Sequence, residues 1–393
     1  MTPLLRLPTL VLILFQAVVH ANPTEAERVK TSYKTDMAAW SRLVSTAATP
    51  EIRAQAWKTR PDPATYGRRM WTVIAPALGE EWAIEPMAWF IGLTINLQTT
   101  PAAPASGSTG IDGTLSNPVR QPATQVGPAF RKELDAISAA ITTYHMANPK
   151  LAPVCLAYAS GSDPRSLALL EKIESSHAAK TVQGVAALAI ATRIRSLGDD
   201  PELMSKRLKL LRRAIIESAD VEIQGVTVAK LAQDELYVIR NLTKGRVAPE
   251  LVGVDSGSRP LKLSDYRGKV VVLLFWNSGV AEVVRLLESM NTLKQRYADK
   301  PVVVVGVNND TVENLRSIQK TDEDLLDFPN FSDPRNELAI AYRVGTWPVI
   351  YVLDAERKIQ YAGVPGSFLD ATVAALLEPP KADQPGRPAT GKP

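Results

Sequence analysis

Apolar positions change period near residue 244, and that change divides the chain into helical and α/β parts. From residue 22 to about 99 the hydrophobic residues recur at helical spacing, with Trp40, Trp57, Trp71, Trp82 and Trp89 as bulky anchors. Thr24-Glu-Ala-Glu27 has the form of a capping box, which predicts a helix start there. A second helical region is predicted from Ala129 to about Leu242. Beyond Lys244, Val270 to Trp276 and Val302 to Val305 are unbroken β-branched, aliphatic and aromatic runs. Such runs predict strands covered on both faces, as in a parallel sheet flanked by helices. Between them Val280, Val283, Val284, Leu287, Met290, Leu293 and Tyr297 keep helical spacing. Pro260 to Leu263, Val349 to Leu353 and Lys358 to Ala362 read as further strands. Val312 to Lys320, Glu337 to Arg343 and Phe368 to Leu377 read as helices. The predicted order after Lys244 is β-β-α-β-α-α-β-β-α, with a right-handed crossover. The fold class is therefore multidomain, an all-α region of helical hairpins followed by an α/β domain.

Composition sharpens the boundaries. Residues 100–128 are rich in Pro, Ala, Gly, Ser and Thr without periodicity, the composition of a disordered linker. Residues 380–393 form a basic, Pro-rich tail, also expected to be disordered. At the start, Arg6 precedes the apolar stretch Leu7 to Val19, and Val19-His20-Ala21 fits a cleavage site after Ala21. Residues 1–21 thus read as a secretory signal, and the expected location is the periplasm or cell envelope. An uncleaved signal, kept as an anchor, is the only route to a membrane that this reading offers. The domain plan is 1–21 signal, 22–99 helical, 100–128 linker, 129–243 helical hairpins, 244–379 α/β domain and 380–393 tail.

The second helical region carries a faint repeat. Leu169-Leu-Glu-Lys and Leu210-Leu-Arg-Arg stand one period apart, as do Gln183-Gly-Val185 and Gln224-Gly-Val226. An Ala-rich apolar helix is predicted after each Gln-Gly-Val, over Ala186 to Ile194 and Thr227 to Ile239. This reads as two copies of a helical hairpin.

Charge and chemistry narrow the function classes. A net charge of +4 on 393 residues does not suggest a nucleic-acid partner. The single cysteine, Cys155, excludes an intrachain disulfide and sits among apolar residues, as a buried inert thiol would. His145 and His177 lack partners at metal-ligand spacing, and Asp322-Glu-Asp324 reads as a solvated loop. No phosphate loop, Ser/His/Asp set or nucleotide fingerprint is present. Neither a metal nor a cofactor is expected.

The words of the C-terminal part resemble the thioredoxin superfamily, most closely its exported redoxin or TlpA-like branch. Gly245-Arg-Val-Ala-Pro249-Glu resembles the family's entry motif, and Leu263-Ser-Asp-Tyr-Arg-Gly-Lys-Val270 its turn into the first central strand. Phe275-Trp276 ends that strand, Gly306-Val-Asn-Asn-Asp310 ends the next, and Trp347-Pro348-Val-Ile-Tyr-Val-Leu-Asp354 matches the cis-proline strand. The resemblance implies a thioredoxin-like fold, a cis peptide bond at Pro348 and a reactive Cys-X-X-Cys at Val280 and Val283. Both of those positions are valine, and Gly279 stands where a Trp is usual. Valine has no sulfur to ionise or to attack a disulfide, so the family's thiol chemistry and its peroxidase variant both lose their nucleophile.

What the resemblance leaves is a shallow groove, lined by Trp276, Asn277, Ser278, Gly279, Thr346, Trp347 and Pro348. The expected role is non-catalytic binding of a protein or extended peptide in the cell envelope. The alternative is a thiol-disulfide oxidoreductase acting in redox homeostasis with a partner's cysteines. A third reading makes the helical region the interaction surface and the C-terminal domain its scaffold.

Overall fold

The structure, a computed structural model, describes residues 22–98 and 128–378, apart from residues 48, 49, 162, 199, 280–282, 322–324 and 346. The signal segment, nearly all of the linker, the acidic Asp322–Asp324 loop, the tail, and two of the proposed groove and dithiol positions, Val280 and Thr346, lie outside the described residues. None of the described helices is long and apolar enough to cross a membrane.

Among the described residues ten α-helices build the N-terminal part: α1 Pro23–Ser45, α2 Pro50–Lys58, α3 Pro63–Ile74, α4 Ile84–Thr94, α5 Arg131–Ala140, α6 Ala152–Ala159, α7 Pro164–Ser176, α8 Lys180–Arg193, α9 Pro201–Ser218 and α10 Val228–Asn241. One local device starts four of them. Asn22, Asp62, Asp163 and Asp200 each precede a proline at the first helical position and accept hydrogen bonds from backbone N–H groups of the first turn. The side chain satisfies an orphan donor, and the proline sets φ for the helix. At α1 this corrects the capping-box reading, because the cap is Asn22, two residues before Thr24.

The helices on either side of the linker share one core. Met70, Ile74, Met87, Phe90 and Ile91 from the first segment pack in the same cluster as Leu151, Cys155, Leu170, Val185, Ile190 and Leu211 from the second. The linker's two ends meet, with Gln98 bridging Pro128 and the Ala129 N–H donating to the Leu97 carbonyl at 2.8 Å. α8 lies at the centre, buried on nearly every side. Buried Arg207 on α9 pairs with Glu235 on α10 at 3.0 Å. Helical pairs α7–α8 and α9–α10 lie where two hairpin copies are expected, but the shared words do not superpose. Gln183-Gly184-Val185 lies within α8. Gln224 and Gly225 instead form the turn between the short strands β1 (Glu222–Ile223) and β2 (Val226–Thr227), with φ of 52° and 81°. The first Ala-rich helix therefore begins before its Gln-Gly-Val, at Lys180.

The C-terminal part is a five-stranded sheet wrapped by helices. A hairpin comes first, β3 (Val252–Val254) against β4 (Pro260–Lys262). Then follow β5 Val270–Trp276, α11 Val283–Arg296, β6 Val302–Asn308, α12 Val312–Thr321, β7 Asn330–Ser332, α13 Glu337–Ala341, β8 Val349–Leu353, β9 Ile359–Gly363 and α14 Ser367–Leu377. The sheet order is β7-β6-β5-β8-β9, parallel across β5, β6 and β7 and antiparallel across β5, β8 and β9. The sheet is therefore mixed, and β3 and β7 are two strands the apolar runs do not reveal. Strand β5 is buried throughout. Its Val271, Leu273 and Phe275 face Leu263, Tyr342 and Tyr351 on one side. Val272, Leu274 and Trp276 face Leu287, Met290 and Leu315 on the other.

The first of these cores does not stop at the composition boundary. Val238 and Leu242 belong to it, with Tyr237 packed against it. The end of α10 thus serves both the helical part and the sheet domain.

Burial pushes the phenols of Tyr158 and Tyr351 up to about 12 and holds that of Tyr342 still further above its ordinary value of 10.0. In each case the folded chain keeps the proton that the unfolded chain loses near pH 10. The stability these phenols contribute is full below the unfolded value and falls as pH rises through the folded one. Alkaline titration followed at the phenolate absorbance is expected to leave these three tyrosines silent until they ionise together with unfolding.

Candidate functional site

Parallel strands β5 and β6 end side by side, and the loops leaving them form the candidate site. Register pairs Trp276 with Asn308 across the two strands and Phe275 with Val349 across β5 and β8. Pro348, immediately before Val349, therefore lies alongside the exit of β5. The Trp347–Pro348 peptide bond is cis, as the resemblance implies. Ile350 pairs with Gly363, so Val364 follows at the same end of β9.

The loop after β5 is held by one carboxylate. Asp310 accepts from the backbone N–H of Ser278 at 2.7 Å, from Ser278 Oγ at 2.7 Å and from Asn308 Nδ2 at 2.9 Å. Asn308 Oδ1 accepts the Asp310 N–H in return, at 3.0 Å. Ser278 is buried by this clamp, and Asn277 and Gly279 on either side are half-buried. A carboxylate that takes three donors, two of them from one serine, fixes the loop leaving β5 to the loop leaving β6. The sequence places Asn308 and Asp310 in the motif that ends the second strand and gives neither a part in the groove. Their signal was available, since two strongly polar residues close an otherwise apolar strand run.

Trp276 requires a correction. It is fully buried on the face of β5 that packs on α11, and its indole N–H donates to Asn330 Oδ1 at 2.9 Å. Alternation along the strand sends Phe275 and Trp276 to opposite faces, so Trp276 does not line the mouth. On the opposite face lies a buried aromatic floor beneath Trp347: Phe275, itself fully buried, with Tyr342 at 5.0 Å, Tyr351 at 6.0 Å and Trp347 at 6.5 Å between ring centroids. Trp347 and Pro348 are half-buried on this aromatic floor. Val283 at the start of α11 is half-buried, and Val284 after it, Val364 after β9 and Phe368 on α14 are apolar residues 41%, 65% and 73% exposed.

The neighbouring helix α13 is anchored by Asp333. Its N–H donates to the Asn308 carbonyl at 2.7 Å, and its Oδ2 accepts from the Ala339 N–H at 2.9 Å. Burial raises the pKa of this carboxyl above its ordinary value, and backbone donors oppose the rise. Cys155 lies far from the mouth, fully buried on α6 in the helical core, where burial pushes its thiol up to about 12. His145 and His177 are likewise buried there, each with Nε2 on a backbone carbonyl, of Leu78 at 2.7 Å and of Asn148 at 3.1 Å. Among the described residues no group of three His, Cys, Asp or Glu is placed to hold a metal.

Residues 244–362 match the model of the AhpC/TSA family. The chain is 29% identical over 158 residues to the thiol-disulfide oxidoreductase ResA of Geobacillus thermodenitrificans, covering 40% of this chain and 88% of that protein. It is 32% identical over 117 residues to ResA of Geobacillus kaustophilus, covering 30% of this chain and 66% of that protein. It is 29% identical over 121 residues to the thioredoxin-like protein YneN of Bacillus subtilis, covering 30% and 70% of the two chains. Among solved structures, a thiol:disulfide interchange protein from Bacteroides sp. is similar at 24% identity and a TM-score of 0.32, covering 36% of this chain and 93% of that one.

Proposed function

The C-terminal domain is a thioredoxin-superfamily domain of the redoxin type, and on that premise we propose that this chain is an exported, non-catalytic binding protein of the cell envelope. One observation carries the reading: the domain contains no cysteine, and the chain's single thiol, Cys155, is sealed in the helical core. A thiolate nucleophile needs both a sulfur at the mouth and a lowered pKa. Cys155 has neither, since burial raises its pKa.

The half-buried Trp347 and the cis-proline supply a surface for an extended peptide or a protein segment. Asp310 supports that use by holding the Asn277–Gly279 loop in place. Export rests on the apolar stretch Leu7 to Val19 behind Arg6.

The names of the relatives favour a second reading, in which the domain assists disulfide exchange through a partner's cysteines. Binding and exchange separate in one titration. A Cys-free unfolded polypeptide is expected to bind saturably, and Trp347→Ala to weaken that binding about tenfold, the effect of losing one aromatic anchor. Binding that ignores Trp347→Ala, or that occurs only with Cys-containing polypeptides, would contradict the proposed groove.

A further inference from the structure

We propose that the helical part positions the cis-proline segment, gripping it through Arg343. Arg343 follows α13, where a chain turning out of a helix commonly uses glycine in the left-handed conformation. It adopts that conformation itself, with φ of 50°. For a residue with a Cβ this backbone is unfavourable, so the side chain must gain something there.

What it gains lies on α10. The guanidinium carbon sits 4.1 Å above the centre of the Tyr237 ring. Arg343 Nε is 2.8 Å from Asp234 Oδ1. The same carboxylate oxygen accepts from Lys230 Nζ at 2.9 Å. On its own side, Arg343 Nη1 donates to the Ile340 carbonyl at 2.6 Å. Arginine suits this place because its planar group can stack on a ring while its charge lies against a carboxylate.

Position gives the grip its consequence. Arg343 stands four residues before Trp347 in the chain. The next residue, Val344, packs against the core that Val238 of α10 and Leu242 just after it also enter, and its N–H donates to the Ala339 carbonyl at 3.0 Å. Tyr342, just before Arg343, packs on Phe275, and Phe275 packs on Trp347. The segment is thus held from the aromatic floor on one side and from α10 on the other. Asp234 and Tyr237 belong to the helical part, so this contact carries a change there toward the mouth, beside the packing of Tyr237, Val238 and Leu242 on the first sheet core. The inference does not depend on what the mouth binds.

Hydrogen exchange on the full chain tests it, read on peptides covering residues 338–350, with β6 and α14 as internal controls. Asp234→Asn, Tyr237→Leu and Arg343→Gly are each expected to speed exchange at 338–350 about fivefold or more, with the controls unchanged, as local opening requires. Arg343→Lys is expected to behave like the other variants, because an ammonium has no flat face to stack on Tyr237. Combining Asp234→Asn with Arg343→Gly is expected to add nothing to Arg343→Gly alone. Unchanged exchange at 338–350 in Asp234→Asn and Tyr237→Leu would overturn the proposal. Equal acceleration of the controls would overturn it too, by showing a global loss of stability instead. Asp234→Asn changes a partly exposed side chain and keeps the test open should Arg343→Gly fail to fold.

Discussion

Gly306→Ala is expected to destabilise the C-terminal domain by about 2–6 kcal/mol, a large share of a small domain's stability. Gly306 lies on β6 between β5 and β7. A Cβ built there falls 1.7 Å from Asn330 Oδ1 and 3.0 Å from Trp276 Nε1. Asn330 is buried, and it links the Trp276 indole to the strand edge while its own Nδ2 donates to the Phe328 carbonyl at 2.8 Å. A methyl group therefore does two kinds of damage. It overpacks a closed core, which costs about 1–3 kcal/mol. It also displaces Asn330 and leaves a buried indole N–H without an acceptor, a further loss of about 1–3 kcal/mol. Small domains are stable by only about 5–15 kcal/mol in total. Chemical denaturation followed by tryptophan fluorescence measures the loss. A midpoint within error of the parent would show that the Asn330 side chain can leave its place freely.

Cutting the chain at the composition boundary is expected to cost nearly as much. A fragment of residues 244–378 loses Val238 and Leu242, which are each 3% exposed in the intact chain, and the partly buried Tyr237 beside them. Burying an aliphatic side chain of this size is worth about 1.5–3 kcal/mol, so their removal costs about 3–6 kcal/mol. A fragment of residues 222–378 keeps α10 and is expected to regain most of that difference. Thermal melts of the two fragments decide the matter. Equal midpoints would mean that α10 contributes nothing to the sheet domain.

Legibility in the sequence followed the physics of each element. Strands β5 and β6 were plain, because burial on both faces forces an unbroken apolar run. Strand β7, Asn330–Ser332, is three residues with polar ends, and its asparagine is there for Trp276, a long-range need that local pattern does not carry. Strand β3 has exposed Val252 and Val254 around Gly253, whose missing side chain admits Phe331. The groove residues were named as a stretch of chain, yet strand alternation turns Trp276 inward while Trp347 stays at the mouth. The clamp of Asp310 on Ser278 and the grip of α10 on Arg343 join residues that are distant in sequence. Only the folded chain brings those partners together. Composition also set the boundary at 243/244, because α10 reads as an ordinary amphipathic helix and nothing local shows that its last turn belongs to two cores.

Thiol turnover tests the central claim most directly. Reduction of insulin disulfides by the full chain, with dithiothreitol as electron donor, is measured beside Cys155→Ala and beside the double variant Val280→Cys with Val283→Cys. The account predicts background rates for the parent and for Cys155→Ala, and an intrachain disulfide with measurable turnover for the double variant, whose two new thiols would stand where the resemblance implies the reactive pair. Turnover by the parent that disappears in Cys155→Ala would contradict it.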